Sequence, residues 1–287
     1  MAANEMSGKP IADAILTEIS IDIQKLAKEG IIPGLGTILV GNDQNCKHYV
    51  DNKHKTCKQI GINSYNIHID ENGTQKDLIA AVNKFNNDAN VDAFMIQSPV
   101  PKKFDFNGAM KAINPKKDGD GLHPYNLGKL VLQENGPLPC TPAGIIEMLK
   151  YYKISIQGKH VVIVGRGPTL GRPLSLMLSM KSEYGNAAVT IVHTGVKNIE
   201  YYTKQADVVI CGIGVPNYIK PEMVKEGCIA ISGGITWEGK KLIPDIDVAV
   251  GEKAEWITSR LGGVGLTTVA MLLKNTVVAA KNRKEFI

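Results

Sequence analysis

The stretch His160-Val161-Val162-Ile163-Val164-Gly165-Arg166-Gly167-Pro168-Thr169-Leu170-Gly171 decides the fold. An apolar run ends in a glycine and opens into a helical pattern reaching to about Ser182. Strand, glycine turn and helix in that order make a β/α unit. Glycines there allow a tight turn and let backbone N–H groups approach a pyrophosphate at a helix N-terminus. The spacing is G-x-G-x-x-x-G, so the letters alone also fit a glycine-rich turn without a ligand. The strand before it and the helix after it favour the dinucleotide. Pro173 is tolerated in the first turn of that helix, where N–H groups lack intrahelical partners.

Downstream, the pattern repeats. Val189 to His193, Asp207 to Gly212 and Cys228 to Ser232 read as strands, and a helix is expected from about Thr268 to Lys281. Upstream, Ala12 to Lys28 carries Ile15, Ile19, Ile23 and Leu26 at helical spacing, stopped by Gly30. Leu35 to Val40, Tyr65 to Ile69 and Ala93 to Ile96 read as strands, and about Asn45 to Ile60 and Gln75 to Asn86 as helices. Alternation of β and α favours parallel sheets covered by helices. Residues Asn114 to Pro142 break the pattern, dense in Gly, Pro, Asp and Asn, and read as an irregular segment that lines a cleft between two domains. A helix from Ala143 to Tyr152 leads out of it. The length, 287 residues, suits two domains.

The net charge of +5 is dispersed, with no basic block interleaved with aromatics, so nucleic acid is not an expected partner. Five cysteines, Cys46, Cys57, Cys140, Cys211 and Cys228, show no C-x-x-C spacing, which argues against a disulfide framework and a zinc site. No secretory pattern opens the chain and no apolar run is as long as a membrane span, so a cytoplasmic enzyme without membrane contact is expected.

Where an NAD-binding fold carries an acid at the end of its second strand, this chain has His193-Thr194-Gly195, and Arg166 sits in the turn. An arginine suits a 2′-phosphate, which favours NADP over NAD. A surface role for Arg166, or a Thr194 serving either cofactor, stays open. Tyr49 and Lys53 share a helix face, four residues apart. Lys53 suits general acid/base work if burial lowers its pKa, and Tyr49 suits stacking on a flat heterocycle. On pattern alone, Lys53, Lys55 and Lys58 read as a solvated lysine face, and Gln97, at a strand's C-terminal end, as a loop cap. Asp118-Gly119-Asp120-Gly121 lacks the remaining ligands of a calcium loop. A carboxylate there can grip the N–H edge of a pterin. His123 has no metal-spaced partner and defaults to hydrogen bonding.

Taken together, Tyr49-Val50-Asp51-Asn52-Lys53, Gln97-Ser98-Pro99-Val100-Pro101, Lys117-Asp118-Gly119-Asp120-Gly121, Pro139-Cys140-Thr141-Pro142, Gly165-Arg166-Gly167, Gly171-Arg172-Pro173 and Gly262-Gly263-Val264-Gly265 resemble the bifunctional methylenetetrahydrofolate dehydrogenase/methenyltetrahydrofolate cyclohydrolases. The resemblance runs from Gly8-Lys9 to Asn275-Thr276. It implies an α/β fold of two domains flanking a cleft, a catalytic domain at 1–147 completed by a helix at 268–287, and a Rossmann-like NADP domain at 148–267. It implies NADP-dependent oxidation of 5,10-methylenetetrahydrofolate and hydrolysis of the methenyl product to 10-formyltetrahydrofolate, by a homodimer. Lys53 would be the acid/base, tuned by Gln97, with Tyr49 packing on the folate and Asp120 anchoring the pterin. Val50, Pro99, Gly262 and Gly263 complete the expected substrate contacts. The expected cofactor contacts are Thr141, Gly165, Arg166, Gly167, Gly171, Arg172, Pro173, His193, Thr194, Gly212, Ile213, Gly214 and Ile235. The chain departs from many members at Ser98, Gly119 and Leu122, at Gly167-Pro168 and at His193-Thr194-Gly195. A monofunctional or NAD-dependent variant is the alternative.

Overall fold

Periodicity and caps together set the elements of the first half. In a computed structural model, which describes residues 3–239 and 241–283, the chain opens with β1 (Asn4–Met6), α1 (Lys9–Lys28), β2 (Gly34–Val40) and α2 (Gln44–Ile60). Asp43 caps α2 by accepting the Cys46 N–H at 2.7 Å, and Gly61 ends it in the left-handed region at φ 84°. Next come β3 (Asn63–Ile69), α3 (Gln75–Asn87) with a Thr74/Asp77 capping box, β4 (Ala93–Ile96) and α4 (Phe106–Ala112).

The segment expected to be irregular is partly helical. α5 (Pro124–Leu132) forms inside it, because His123 caps its N-terminus and Pro124 takes the first position, where the missing N–H costs nothing. α6 (Cys140–Tyr151) starts three residues before the expected Ala143, since Pro142 falls within the tolerated first turn.

The second series comprises β5 (His160–Val164), α7 (Gly171–Ser179), β6 (Ala188–Val192), α8 (Ile199–Thr203), β7 (Val208–Cys211), β8 (Ile229–Ser232), a hairpin β9 (Ile235–Glu238) and β10 (Lys241–Pro244), β11 (Trp256–Thr258) and α9 (Val264–Lys281). α7 stops short of the expected Ser182 because Met180 turns extended and the chain folds back, Asn186 N–H donating to Met180 O at 2.7 Å.

Contacts divide the chain into two compact units. The first, Ala14–Leu138 with the chain from Val269 on, holds a parallel sheet ordered β3-β2-β4. Its core gathers Ile38, Leu78, Val82, Phe85, Phe94 and Ile96. The second, the chain up to Asp13 with Pro139–Thr268, holds a six-stranded parallel sheet ordered β1-β11-β8-β7-β5-β6. Val162, Val164, Val209 and Ala230 lie at its centre.

The division falls at 138/139 and not at the expected 147/148. α6 belongs with the second unit because Gly144 lies directly against Thr267, and the Tyr152 hydroxyl that follows donates to Ser7 O at 2.9 Å. The first thirteen residues join the same unit because β1 pairs with β11. Of the expected 268–287 segment, 284–287 lie outside the described residues.

The expectation that no segment is long and apolar enough to span a membrane needs correction. Among the described residues α9 meets that measure, with half of it buried. Its apolar side is core: Leu272, Leu273, Val277 and Ala280 are buried, while Asn275 Nδ2 donates to Gly119 O and Leu138 O.

The first unit is also closed by an ion pair near the end of α9. Arg283 binds both carboxylate oxygens of Asp92, whose side chain is 2% exposed and also accepts the Gly34 N–H. Removing one member of such a pair leaves an uncompensated buried charge. Arg283→Ala is expected to cost about 3 kcal/mol, read as a lowered urea midpoint, whereas an unchanged midpoint would make the pair ornamental.

Candidate active site

Both sheets are built so that side chains collect at one edge. In the first unit the chain passes from β2 to β3 on one side and then to β4 on the other. Parallel sheets open a crevice at the carboxyl ends of the strands where the order reverses in this way. Gln97 stands there, one residue past β4, its N–H donating to Ile38 O at 2.8 Å.

Lys53 reaches this place from α2. Its side chain is buried, not part of a solvated face, and Nζ donates to Gln97 Oε1 at 2.8 Å and to Met95 Sδ at 3.1 Å. The amide is fixed in turn, Nε2 donating to Ser98 O at 2.8 Å. That bond turns Oε1 toward the lysine. Tyr49 is half-buried one turn before Lys53, while Lys55 and Lys58 are exposed. Val50, expected at the substrate, has its side chain buried with Leu39 and Cys46. Pro99 is exposed, following a cis Ser98–Pro99 peptide.

The two carboxylates of Asp118-Gly119-Asp120 have different environments. Asp118 is buried and saturated: it accepts N–H groups of Gly121, Leu122 and His123 and the Asn126 amide, at 2.8 to 3.2 Å. It holds the loop. A bridge between Phe94 and Asp118 and the Gly119 N–H bond to Phe94 O lay this segment beside β4. Asp120 is then near Lys53. Burial pushes its carboxyl up to about 6, against the pull of the Lys53 charge and with a push from Asp118. His123 caps α5 through Nδ1, which accepts the Tyr125 N–H at 3.0 Å.

In the second unit the order reverses between β5 and β7, where Gly165 and Gly212 meet: the Gly212 N–H donates to Val164 O at 3.0 Å. Gly165 adopts φ 121°, and a Cβ there would lie 2.9 Å from Gly212 O. Gly171 has no space for a side chain, since its Cβ would lie 2.1 Å from Gly165 O. Gly167 has open space at the same turn. α7 has no side-chain N-cap; in its first turn the Arg172 N–H donates to Gly167 O at 3.1 Å and Pro173 has no N–H, so Gly171 brings the N–H that has no side-chain cap. This cradle fits a pyrophosphate.

Arg166 and His193 meet at the side of that cradle. Arg166 Nη1 lies 3.2 Å from His193 Nε2, while His193 Nδ1 accepts the Gly195 N–H at 3.1 Å. Which ring nitrogen carries the proton depends on the tautomer, but the guanidinium can only donate, so the pair presents donors at the side of the cradle. Thr194, Arg172 and Gly214 are exposed, Ile213 and Ile235 half-buried, and Pro173 buried in packing. Thr141 Oγ1 accepts the Thr268 hydroxyl at 3.3 Å. Gly262 and Gly263 belong to this second unit, and the Gly8 N–H donates to Gly262 O at 2.7 Å.

Met95 and the locking role of Asp118 escape the sequence reading. Strand alternation sets Met95 on the Gln97 face, and a carboxylate followed by a Gly-rich turn is the usual form of a loop-closing acceptor.

Comparison with known proteins agrees along the whole chain. Residues 6–120 match the family model of the tetrahydrofolate dehydrogenase/cyclohydrolase catalytic domain, and residues 139–284 that of the NAD(P)-binding domain of the same family. The chain is 57% identical over 283 residues to the bifunctional protein FolD of Syntrophotalea carbinolica, covering 99% of this chain and 98% of that one. Its fold matches the crystal structure of the bifunctional enzyme FolD from Campylobacter jejuni with a TM-score of 0.92 at 40% identity, over 98% of this chain and 100% of that one. It also matches the Trypanosoma brucei methylenetetrahydrofolate dehydrogenase-cyclohydrolase complexed with NADP cofactor and inhibitor, with a TM-score of 0.91 at 32% identity over 98% of each chain.

Proposed function

The chain belongs to the tetrahydrofolate dehydrogenase/cyclohydrolase family, and from that premise we propose how its residues carry out the two reactions. The enzyme oxidises 5,10-methylenetetrahydrofolate to the methenyl cation with NADP, then adds water to give 10-formyltetrahydrofolate and a proton. The buried Lys53–Gln97 hydrogen bond carries the reading, because it sets one proton-bearing nitrogen at the carboxyl edge of the first sheet. The methenyl carbon is already electrophilic, so orientation and proton handling are the tasks left to the protein. Lys53 holds and moves the proton of the water that adds. Gln97 Oε1 aims it. Tyr49 covers the flat ring system, and Asp120 accepts the N–H edge of the pterin.

When bound, NADP would supply the hydride acceptor for the oxidation; the glycine turn and α7 would hold its pyrophosphate, and Arg166 with His193 its 2′-phosphate. The Arg166 guanidinium beside His193 at the side of that turn, with no carboxylate in His193-Thr194-Gly195, supports NADP over NAD. Arg166→Ala is expected to raise the KM for NADP by roughly tenfold or more and leave the KM for NAD within about twofold, since a hydrogen bond to a charged group is worth roughly 1.5–3 kcal/mol. Equal effects on both cofactors would remove Arg166 from the phosphate.

The remaining expectations belong to the same reading: a cytoplasmic homodimer, free of nucleic acid and membrane, supplying one-carbon units for purine biosynthesis. Incubation with methylenetetrahydrofolate and NADP, following reduced nicotinamide and the methenyl absorbance together, tests it. Reduced cofactor with little methenyl accumulation is the expected result. Hydrolysis of methenyl substrate without reduction of NADP would leave only a cyclohydrolase.

A further inference from the structure

Asp245 lies just past β10 and is fully buried. Its Oδ2 accepts the N–H groups of Ile213 at 2.6 Å and Gly214 at 2.9 Å. Its own N–H donates to Ser232 Oγ at 3.0 Å and Gly234 O at 3.1 Å, and Ser232 Oγ donates to Gly234 O at 3.0 Å. Gly234 is required for this approach, because a Cβ there would lie 2.1 Å from Asp245 Oδ2. One residue thus ties together the chain just past β7, through its carboxylate, and just past β8, through its backbone N–H. Two further bonds fasten the same segment: Thr236 Oγ1 donates to Gly214 O at 3.0 Å, and the Ile219 N–H donates to Asp245 O at 3.1 Å.

The phosphate turn rests on what Asp245 holds. Gly212 O and the Ile213 side chain stand 2.9 Å and 3.1 Å from where a Cβ on Gly165 would be. Leu170, which leads into α7, fills the space over both Gly212 and Gly233. A small tilt of the Ile213–Gly214 turn would therefore move the surface on which Gly165 and Leu170 sit. A buried carboxylate is a costly way to fill a core, since burial disfavours its charge. What it supplies over an apolar side chain is a fixed direction for two successive backbone N–H groups.

We propose that Asp245 is a positioning residue for the dinucleotide, setting the Ile213–Gly214 turn and through it the seat of the phosphate turn, without itself touching the cofactor. The inference rests on the NADP reading above. It separates the two reactions, because water addition needs no dinucleotide.

The test compares wild type, Asp245→Asn and Ser232→Ala by calorimetric binding of NADP, hydrolysis of methenyltetrahydrofolate in the absence of NADP, and thermal midpoint. Asn keeps the shape and replaces the carboxyl acceptor of both N–H bonds with an amide oxygen. The expected result is an NADP Kd raised about tenfold in Asp245→Asn and about threefold in Ser232→Ala, with hydrolysis in both within twofold of wild type. If Asp245→Asn does not fold, the Ser232→Ala result decides by the same criteria. An NADP Kd within twofold of wild type in the folded variants overturns the proposal. So does a parallel fall of hydrolysis and thermal midpoint, which would make Asp245 a fold residue alone. A wild-type protein that fails to bind NADP overturns the cofactor reading and this inference with it.

Discussion

Lys53→Met is expected to lower the cyclohydrolase rate by about 1000-fold, within the range that positioned proton transfer contributes. Methionine nearly matches the length of the lysine stem and carries no charge into a buried place, so the fold is expected to survive. The loss then reports chemistry. Gln97 Oε1 loses its donor in the variant, and with it the bond that fixes Nζ in the wild type. Measured separately, the two rates discriminate between roles. A cyclohydrolase rate that persists while oxidation collapses would take the water-activating proton away from Lys53.

Asp120→Asn is expected to raise the KM for methylenetetrahydrofolate by about 100-fold, because one paired, charge-assisted contact to the pterin is replaced by a neutral amide that offers a donor where an acceptor is required. The pH dependence follows from burial. Burial pushes the Asp120 carboxyl up to about 6, so the acceptor is half present there and nearly complete a unit higher. In wild type the KM is expected to be flat above about pH 7 and to climb as pH falls through about 6; in Asp120→Asn the climb disappears. Stability moves the other way. A carboxyl whose pKa is raised on folding disfavours the native state most above its folded pKa, and not at all below its unfolded one. At neutral pH the Asn variant is therefore expected to be more stable, by up to roughly 2 kcal/mol after allowance for the residue's partial exposure. That gain vanishes below about pH 4. A folate KM in wild type that ignores pH between 5 and 7 would take the pterin away from Asp120.

The long elements were legible because each has one period. β4 is apolar throughout, β2 is interrupted only by its glycines and Thr37 and β5 only by His160 at its start, as strands buried on both faces read, and α3 carries its capping box in the letters Thr74 and Asp77. Short strands gave no such signal. β1, β9, β10 and β11 have three or four residues each and, unlike the equally short β4, mix polar with apolar residues; β1 is held by β11, which pairs with β8 as well. α5 was hidden by composition: Pro124 and Gly128 argue against a helix until His123 is seen as its cap.

Within the site, the family resemblance singled out Lys53, Gln97 and Asp120, whereas pattern alone read the lysine as solvated and the glutamine as a loop cap; their environments came only with the fold. Two aspartates a residue apart are equivalent as letters. Three backbone N–H groups and an amide take Asp118 out of chemistry and leave Asp120 to it. Tyr49 and Val50 are neighbours in sequence, yet the helical turn between them buries one side chain with Leu39 and leaves the other half-open. Asp245 was silent for the same reason. Nothing in Pro244-Asp245-Ile246 announces a turn some thirty residues earlier.

The units interleave: residues up to Asp13 belong with Pro139–Thr268, and the chain from Val269 on belongs with Ala14–Leu138. No single cut in the gene yields two whole halves. A break at 138/139 would leave one fragment carrying β1 without β11, and the other carrying most of α9, with Arg283, without Asp92. On the ribosome the first unit cannot close its ion pair until residue 283 has emerged, so its final latch comes after every strand of the other unit has been synthesised.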